Sequence, residues 1–213
     1  GGLTDYDFTD MVDIYDCNTG QWSTSHLSQG RAYLAAASSG NKIVFAGGQS
    51  GMLTVTDTVD IYDVTTNLWT TAKLSKARSH LTATVSGNLI FFAGGNESPG
   101  MSKVVDIYDA KTDTWTTADL SAGRSELASA AVGNLVLFAG GIGNSGPSKV
   151  VDIYNMSTKT WSVSELSEAR HELSAGAVKD KIVFAGGYSA TGFSDVIDIY
   201  DTKQNLWTSK KLS

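Results

Sequence analysis

This chain points to an all-β propeller of four-stranded antiparallel blades, and three recurring marks carry that expectation. Val12-Asp13-Ile14-Tyr15 returns at Val59–Tyr62, Val105–Tyr108, Val151–Tyr154 and, with one change, Ile197–Tyr200. A double glycine stands at Gly1-Gly2, Gly47-Gly48, Gly94-Gly95, Gly140-Gly141 and Gly186-Gly187. The only tryptophans, Trp22, Trp69, Trp115, Trp161 and Trp207, keep step with both at a period of 46 or 47 residues. A fixed period of this length marks a repeat architecture, in which each unit buries its faces against its neighbours.

The unit from Gln29 to Ser75 shows how each element arises. Arg31 leads into a run of small residues, Leu34-Ala35-Ala36-Ala37-Ser38, and a Gly40-Asn41 turn comes next. Gly-Asn tolerates the positive φ that tight hairpins require, and the pair recurs at Gly87-Asn88 and Gly133-Asn134. The second run, Ile43-Val44-Phe45-Ala46, is continuously apolar and ends in Gly47-Gly48. A loop that reads as polar leads to the third run, Val59-Asp60-Ile61-Tyr62-Asp63, and a short turn delivers the fourth, Leu68-Trp69-Thr70-Thr71. In that last turn Gly20, Asn67, Asp113 and Asn205 suit a left-handed position, with Lys159 the exception. Short runs bounded by turn signals, with no helical period, form an antiparallel meander.

Two properties order the strands within a blade. The second run lacks alternation, as in Leu135-Val136-Leu137-Phe138-Ala139, which fits a strand covered on both faces. The first run is small in every copy (Thr82-Ala83-Thr84, Ala128-Ser129-Ala130-Ala131, Ser174-Ala175-Gly176-Ala177), which fits the crowded strand nearest the axis. The tryptophan run is then outermost. A buried Trp removes about 150–250 Å² from water, roughly 4–6 kcal/mol gross at ~25 cal/mol per Å².

The pattern resembles the kelch repeat: a polar entry, an apolar strand ending in Gly-Gly, a loop, a tyrosine, then a tryptophan. Tyr62 precedes Trp69 by seven residues, and the same gap separates Tyr15–Trp22, Tyr108–Trp115, Tyr154–Trp161 and Tyr200–Trp207. The resemblance covers essentially the whole chain and implies a kelch-type propeller. Full blades are expected over 29–75, 76–121, 122–167 and 168–213, with 1–28 an N-terminal half blade. Kelch propellers usually close with six or seven blades, so this single propeller region is expected to be a segment of a larger ring. A five-blade ring with a defective first blade is the alternative. An open ring is expected to self-associate or to rest against a neighbouring chain, since its end blades expose apolar faces.

The bulk chemistry narrows the function classes. Net charge is -6 and no basic run occurs, which weighs against nucleic acid as a partner. No apolar run approaches the roughly 18–20 residues of a membrane span. No signal or targeting segment is read in these residues. Cys17 is the sole cysteine, so no intrachain disulfide forms. The sequons Asn96-Glu97-Ser98 and Asn155-Met156-Ser157 are of a kind common by chance and assign no compartment.

Comparing the repeats with one another separates scaffold from free positions. Asp13, Asp60, Asp106, Asp152 and Asp198 recur in every unit, as do Arg31, Arg78, Arg124 and Arg170 in the last four. Repetition at the blade period indicates a local structural task, either capping of backbone groups or pairing between strands. The free positions fall on one face. Two residues after each arginine come Tyr33, His80, Glu126 and Glu172; directly after each double glycine come Gln49, Asn96, Ile142 and Tyr188. The loops beginning there (Gln49–Thr58, Asn96–Val104, Ile142–Val150, Tyr188–Val196) differ between copies, and variable loops on a rigid scaffold carry binding. Tyr33, His80, Glu126, Glu172, Gln49, Asn96 and Tyr188 are therefore the candidate contacts for a protein or glycan partner at the channel mouth.

Catalytic signals are sparse. His26, His80 and His171 occupy unrelated repeat positions, which argues against a shared histidine metal site. No G-x-S-x-G elbow, Cys/His pair or glycine-to-helix phosphate cradle is present. No cofactor, metal or catalytic residue is assigned. The expected role is a non-catalytic recognition or scaffolding module. An enzyme acting on a sugar or small polar ligand at the mouth, with Glu126, Glu172, His80 and Tyr33, is the alternative; a purely structural repeat is the third.

Overall fold

The fold is taken from a computed structural model that describes residues 1–5 and 7–212. Ser213, the last residue expected in the fourth unit, lies outside the described residues. The described residues contain strands and turns and no helix. Four antiparallel four-stranded sheets succeed one another along the chain, each a meander in sequence order. Their inner strands are Ala35–Ser39, Thr82–Ser86, Ala128–Val132 and Ser174–Val178; these touch one another in sequence and line the axis. The outer strands are Leu68–Lys73, Thr114–Asp119, Thr160–Glu165 and Leu206–Lys211. This is a β-propeller arrangement of blades. Ahead of it, Met11–Asp16 pairs with Gln21–His26 as a two-stranded sheet without inner partners.

The continuous apolar second strand is a consequence of the blade stack. In Leu89–Ala93, Ile90 and Phe92 pack into the core shared with the preceding blade. Phe91 and Ala93 pack into the core shared with the next one. Both pleat faces are buried, so no alternation appears. Where a neighbour is lacking, the alternation returns. In Lys181–Ala185 of the fourth blade Ile182 and Phe184 are buried while Val183 and Ala185 are partly open. On the inner strand of the same blade Val178 is 63% exposed.

Where another blade follows, the first glycine of the pair makes the joint between the two; Gly186 in the fourth blade meets nothing within 4 Å. A Cβ at Gly47 would lie 2.5 Å from the Arg78 carbonyl oxygen, and one at Gly140 2.6 Å from that of Arg170. The second glycine then donates its N–H to the same arginine carbonyl: Gly48 to Arg78 at 2.9 Å, Gly95 to Arg124 at 2.8 Å, Gly141 to Arg170 at 2.8 Å. Only a residue without a side chain permits that approach, which is why the pair recurs.

The repeated arginines and aspartates do both of the tasks the sequence allowed. Arg31 reaches Asp60 at 2.7 Å, Arg78 reaches Asp106 at 2.7 Å, Arg170 reaches Asp198 at 2.6 Å, and Arg124 joins Asp152. The other carboxylate oxygen of each aspartate caps the linker entering its blade, accepting from the N–H of Ser28, Ser75, Ser121 or Ser167. The guanidinium groups also donate to the strand-end carbonyls, as Arg31 Nε does to Gly47 O at 2.8 Å.

Two expectations need correction. The tryptophans are only half-buried, and Trp22 is 69% exposed. Being on the outer strand, each has no further strand to cover it. Each packs instead on the tyrosine directly across the hairpin, with ring centroids 4.8–5.0 Å apart. The loops after the double glycines are also less polar and more ordered than they read. Three of the four contain a miniature hairpin: Gln49–Gly51 with Thr54–Val55, Ile142–Gly143 with Gly146–Pro147, and Tyr188–Ser189 with Gly192–Phe193.

Candidate site at the channel mouth

The mouth is built by the two residues after each buried arginine. The first of them (Ala32, Ser79, Ser125 or His171) exchanges two backbone hydrogen bonds with the residue after a double glycine: Gln49, Asn96, Ile142 or Tyr188. The second must turn the chain down into the inner strand, and all four do so in the left-handed region. Tyr33, His80, Glu126 and Glu172 have φ of 55°, 54°, 54° and 52°. Non-glycine residues seldom hold this conformation, at a cost of order 1–3 kcal/mol each. The neighbouring turns hold it in place: His80 N–H donates to Tyr33 O at 2.9 Å, Glu126 to His80 at 3.0 Å, and Glu172 to Glu126 at 3.0 Å. These four side chains are thus set around the mouth by one backbone rail.

They rim an open depression of about 320 Å³. Leu34, Leu81, Leu127 and Leu173, each directly after a rim residue, form its apolar floor. At one end Tyr33 and His80 stack, with centroids 4.2 Å apart and planes 17° from parallel. At the other end Glu126 Oε2 meets His171 Nδ1 at 2.8 Å. Glu126, His171 and Glu172 bring one donor atom each within 4.8 Å of one another. The ring of Tyr188 lies over His171 at 5.8 Å and against Phe193 at 4.5 Å.

The remaining candidates sit one step farther out. Gln49 uses its amide on Met52 O at 2.5 Å, and Asn96 Oδ1 accepts from Ser98 N–H at 2.8 Å, so both amides are engaged within their own loops. Together with Met52, Leu53, Val55, Ser79 and His80 they line a second hollow of about 120 Å³. The loop tips above are apolar: Met52 is 91% exposed, Leu53 85% and Phe193 84%.

Sequence reasoning misses His171 and these tips. The repeat position of His171 differs from those of the other histidines, which hides it from a search for a shared site. A signal exists, since that position holds Ala32, Ser79 and Ser125 in the other blades, and only the fourth carries a titratable side chain. Met52-Leu53 and Phe193 are apolar residues in glycine-flanked loops, a combination that marks an exposed tip.

A family model of the kelch motif matches residues 30–73, 123–164 and 169–210, which together make up more than half of the chain. The intervening blade, with strands from Thr82 to Asp119, has the same strand order. No curated protein matches the chain. Among solved structures, one titled "Structure of YjhT" superposes with a TM-score of 0.75 at 17% identity, covering 96% of this chain and 76% of that one. At this identity the likeness concerns the fold. Matching solved chains number 532, and a fold so widely used leaves function to be argued from the site.

Proposed function

The chain belongs to the kelch-repeat family, and from that premise we propose that it is a non-catalytic recognition module whose partner docks on the channel-mouth face. Kelch repeats commonly serve as protein-interaction and scaffold units. One observation carries the reading: the mixed rim of Tyr33, His80, Glu126 and Glu172 shares its face with the exposed apolar tips Met52, Leu53 and Phe193. Isolated solvent-facing apolar side chains are ordinary, but three on the loop tips beside the rim, Met52 and Leu53 next to His80 and Phe193 against Tyr188, suit a partner. Tyr33 and Tyr188 supply aromatic faces for either a protein or a glycan, and the apolar tips favour a protein.

The test screens the chain against a displayed random-peptide library and a glycan array, beside a variant with Tyr33, His80, Glu126 and Glu172 all changed to alanine. Recognition predicts ligands held by the native chain and lost by the variant, with thermal unfolding unchanged. Ligands held equally by both would remove the mouth from consideration.

The enzymatic reading keeps one point in its favour. Glu126 hydrogen-bonded to His171 beside Glu172 is an arrangement that could move a proton on a bound sugar. Turnover of a carbohydrate panel that is abolished in Glu126→Gln would replace the recognition reading. Self-association is a separate proposal, supported by Trp22 and Val178 standing open at opposite ends of the blade series. A monomer in sedimentation analysis at tens of micromolar would end it.

A further inference from the structure

Resting on the recognition reading, we infer that the mouth is a seat for a basic side chain, an arginine or lysine presented by the partner. The charge balance of the depression carries this. Two carboxylates, Glu126 and Glu172, are fixed on adjacent turns by the hydrogen bond from Glu172 N–H to Glu126 O at 3.0 Å. Among the described residues, no lysine or arginine lines the cavity. His171 engages Glu126, while the Glu172 side chain makes no hydrogen bond or ion pair among the described residues. Two like charges held close without a cation repel one another, and a cation seated between them turns that repulsion into attraction.

The rest of the lining says which cation. A bare metal ion would use only the Glu126, His171 and Glu172 end. It would leave the Tyr33–His80 stack at the opposite end of the cavity without a role. A long basic side chain uses the whole cavity. Its methylene stem lies along the leucines, its head reaches the carboxylates, and a flanking residue of the partner meets the stacked rings. Arginine fits best, because its planar fork can donate to two carboxylates at once and still lie against an aromatic face.

The experiment selects a displayed random-peptide library on the native chain and on the Glu126→Gln/Glu172→Gln variant, with Glu172→Gln alone as a second, surface-only change. Peptides enriched on the native chain should carry arginine or lysine. They should lose tenfold or more in affinity when that residue becomes citrulline or norleucine, and should weaken similarly on both glutamine variants. Enriched peptides that depend on Tyr33 and Phe193 but are neutral or acidic, or that ignore the glutamine changes, would overturn this inference and leave the recognition reading standing. No enrichment on any variant would overturn both. Micromolar binding of ZnCl2 that is lost in His171→Ala and Glu172→Gln would show a metal seat instead.

Discussion

Arg31 and Asp60 meet at 2.7 Å inside one blade, with side-chain exposures of 0% and 2%. Arg31 also holds Gly47 O and Phe45 O, and Asp60 also caps Ser28 N–H. The pair therefore fastens three things: the entering linker, the double-glycine corner and the third strand. It recurs in all four blades. Desolvation offsets much of the Coulomb attraction in such a pair, so its presence is not a measure of net stability.

Breaking the pair is another matter. We predict that Asp60→Ala destabilises the chain by about 3–5 kcal/mol, because a guanidinium is left buried without its counter-charge. Denaturant unfolding measures this. A loss under ~1 kcal/mol would show that water reaches Arg31.

Equivalent left-handed glycines should respond unequally to alanine. Gly133 has φ of 56° and nothing within 4 Å of a built Cβ, so Gly133→Ala should cost only the backbone strain of about 1–2 kcal/mol. Gly140 has φ of 66°, but its Cβ would lie 2.6 Å from Arg170 O and 2.9 Å from the Leu173 side chain. Gly140→Ala must force two blades apart and should cost clearly more. Equal shifts in midpoint denaturant concentration would contradict the role of Gly140 as a joint between blades.

Among the aromatic residues, the phenylalanines outrank the tryptophans. Phe138 is fully buried in an inter-blade core, and Phe138→Ala should cost about 3–5 kcal/mol. Trp161 is half-buried on the outer strand against Phe138 and Tyr154. Trp161→Ala should cost less than Phe138→Ala. The reverse order in a side-by-side unfolding series would restore the weight that sequence alone places on tryptophan.

A clasp between the first two blades should make stability fall at both pH extremes. Lys42 joins Asp113, and Tyr108 donates its hydroxyl to the same carboxylate. Burial, then the bond to Asp113, pushes the Tyr108 hydroxyl from 10.0 up to about 12. A raised folded value means that its stabilisation is whole below pH 10 and is lost as pH climbs toward 12. Hydrogen bonds from Lys42 and then Tyr108 hold the Asp113 carboxyl below its ordinary 3.8. Its contribution is present above that value and fades as the solution is acidified through the depressed one. Tyr108→Phe should flatten the alkaline limb and leave the far acid limb to Asp113. An unchanged alkaline limb in thermal melts from about pH 9 to 12 would contradict this.

The blade itself was legible in the chain because its causes are local and repeat. Small residues at Ala35–Ala37, the apolar run ending at Gly47-Gly48, and Tyr62 seven residues before Trp69 each answer a problem posed again in the next unit. Contacts that pass between blades left no such trace. Glu126 and His171 meet across 45 residues because adjacent blades are rotated against one another, and the pairing occurs at one place in the blade series. Whether Arg31 would find Asp60 or a carbonyl was likewise open, since both are within a guanidinium's reach and only the packed blade brings all of them to it. The left-handed turn at Tyr33, His80, Glu126 and Glu172 carries no glycine or asparagine to announce it. It is imposed from outside, by a buried arginine before it, a leucine after it and a backbone rail beside it. Periodicity by itself therefore determined the architecture, and tertiary packing decided the chemistry of the mouth.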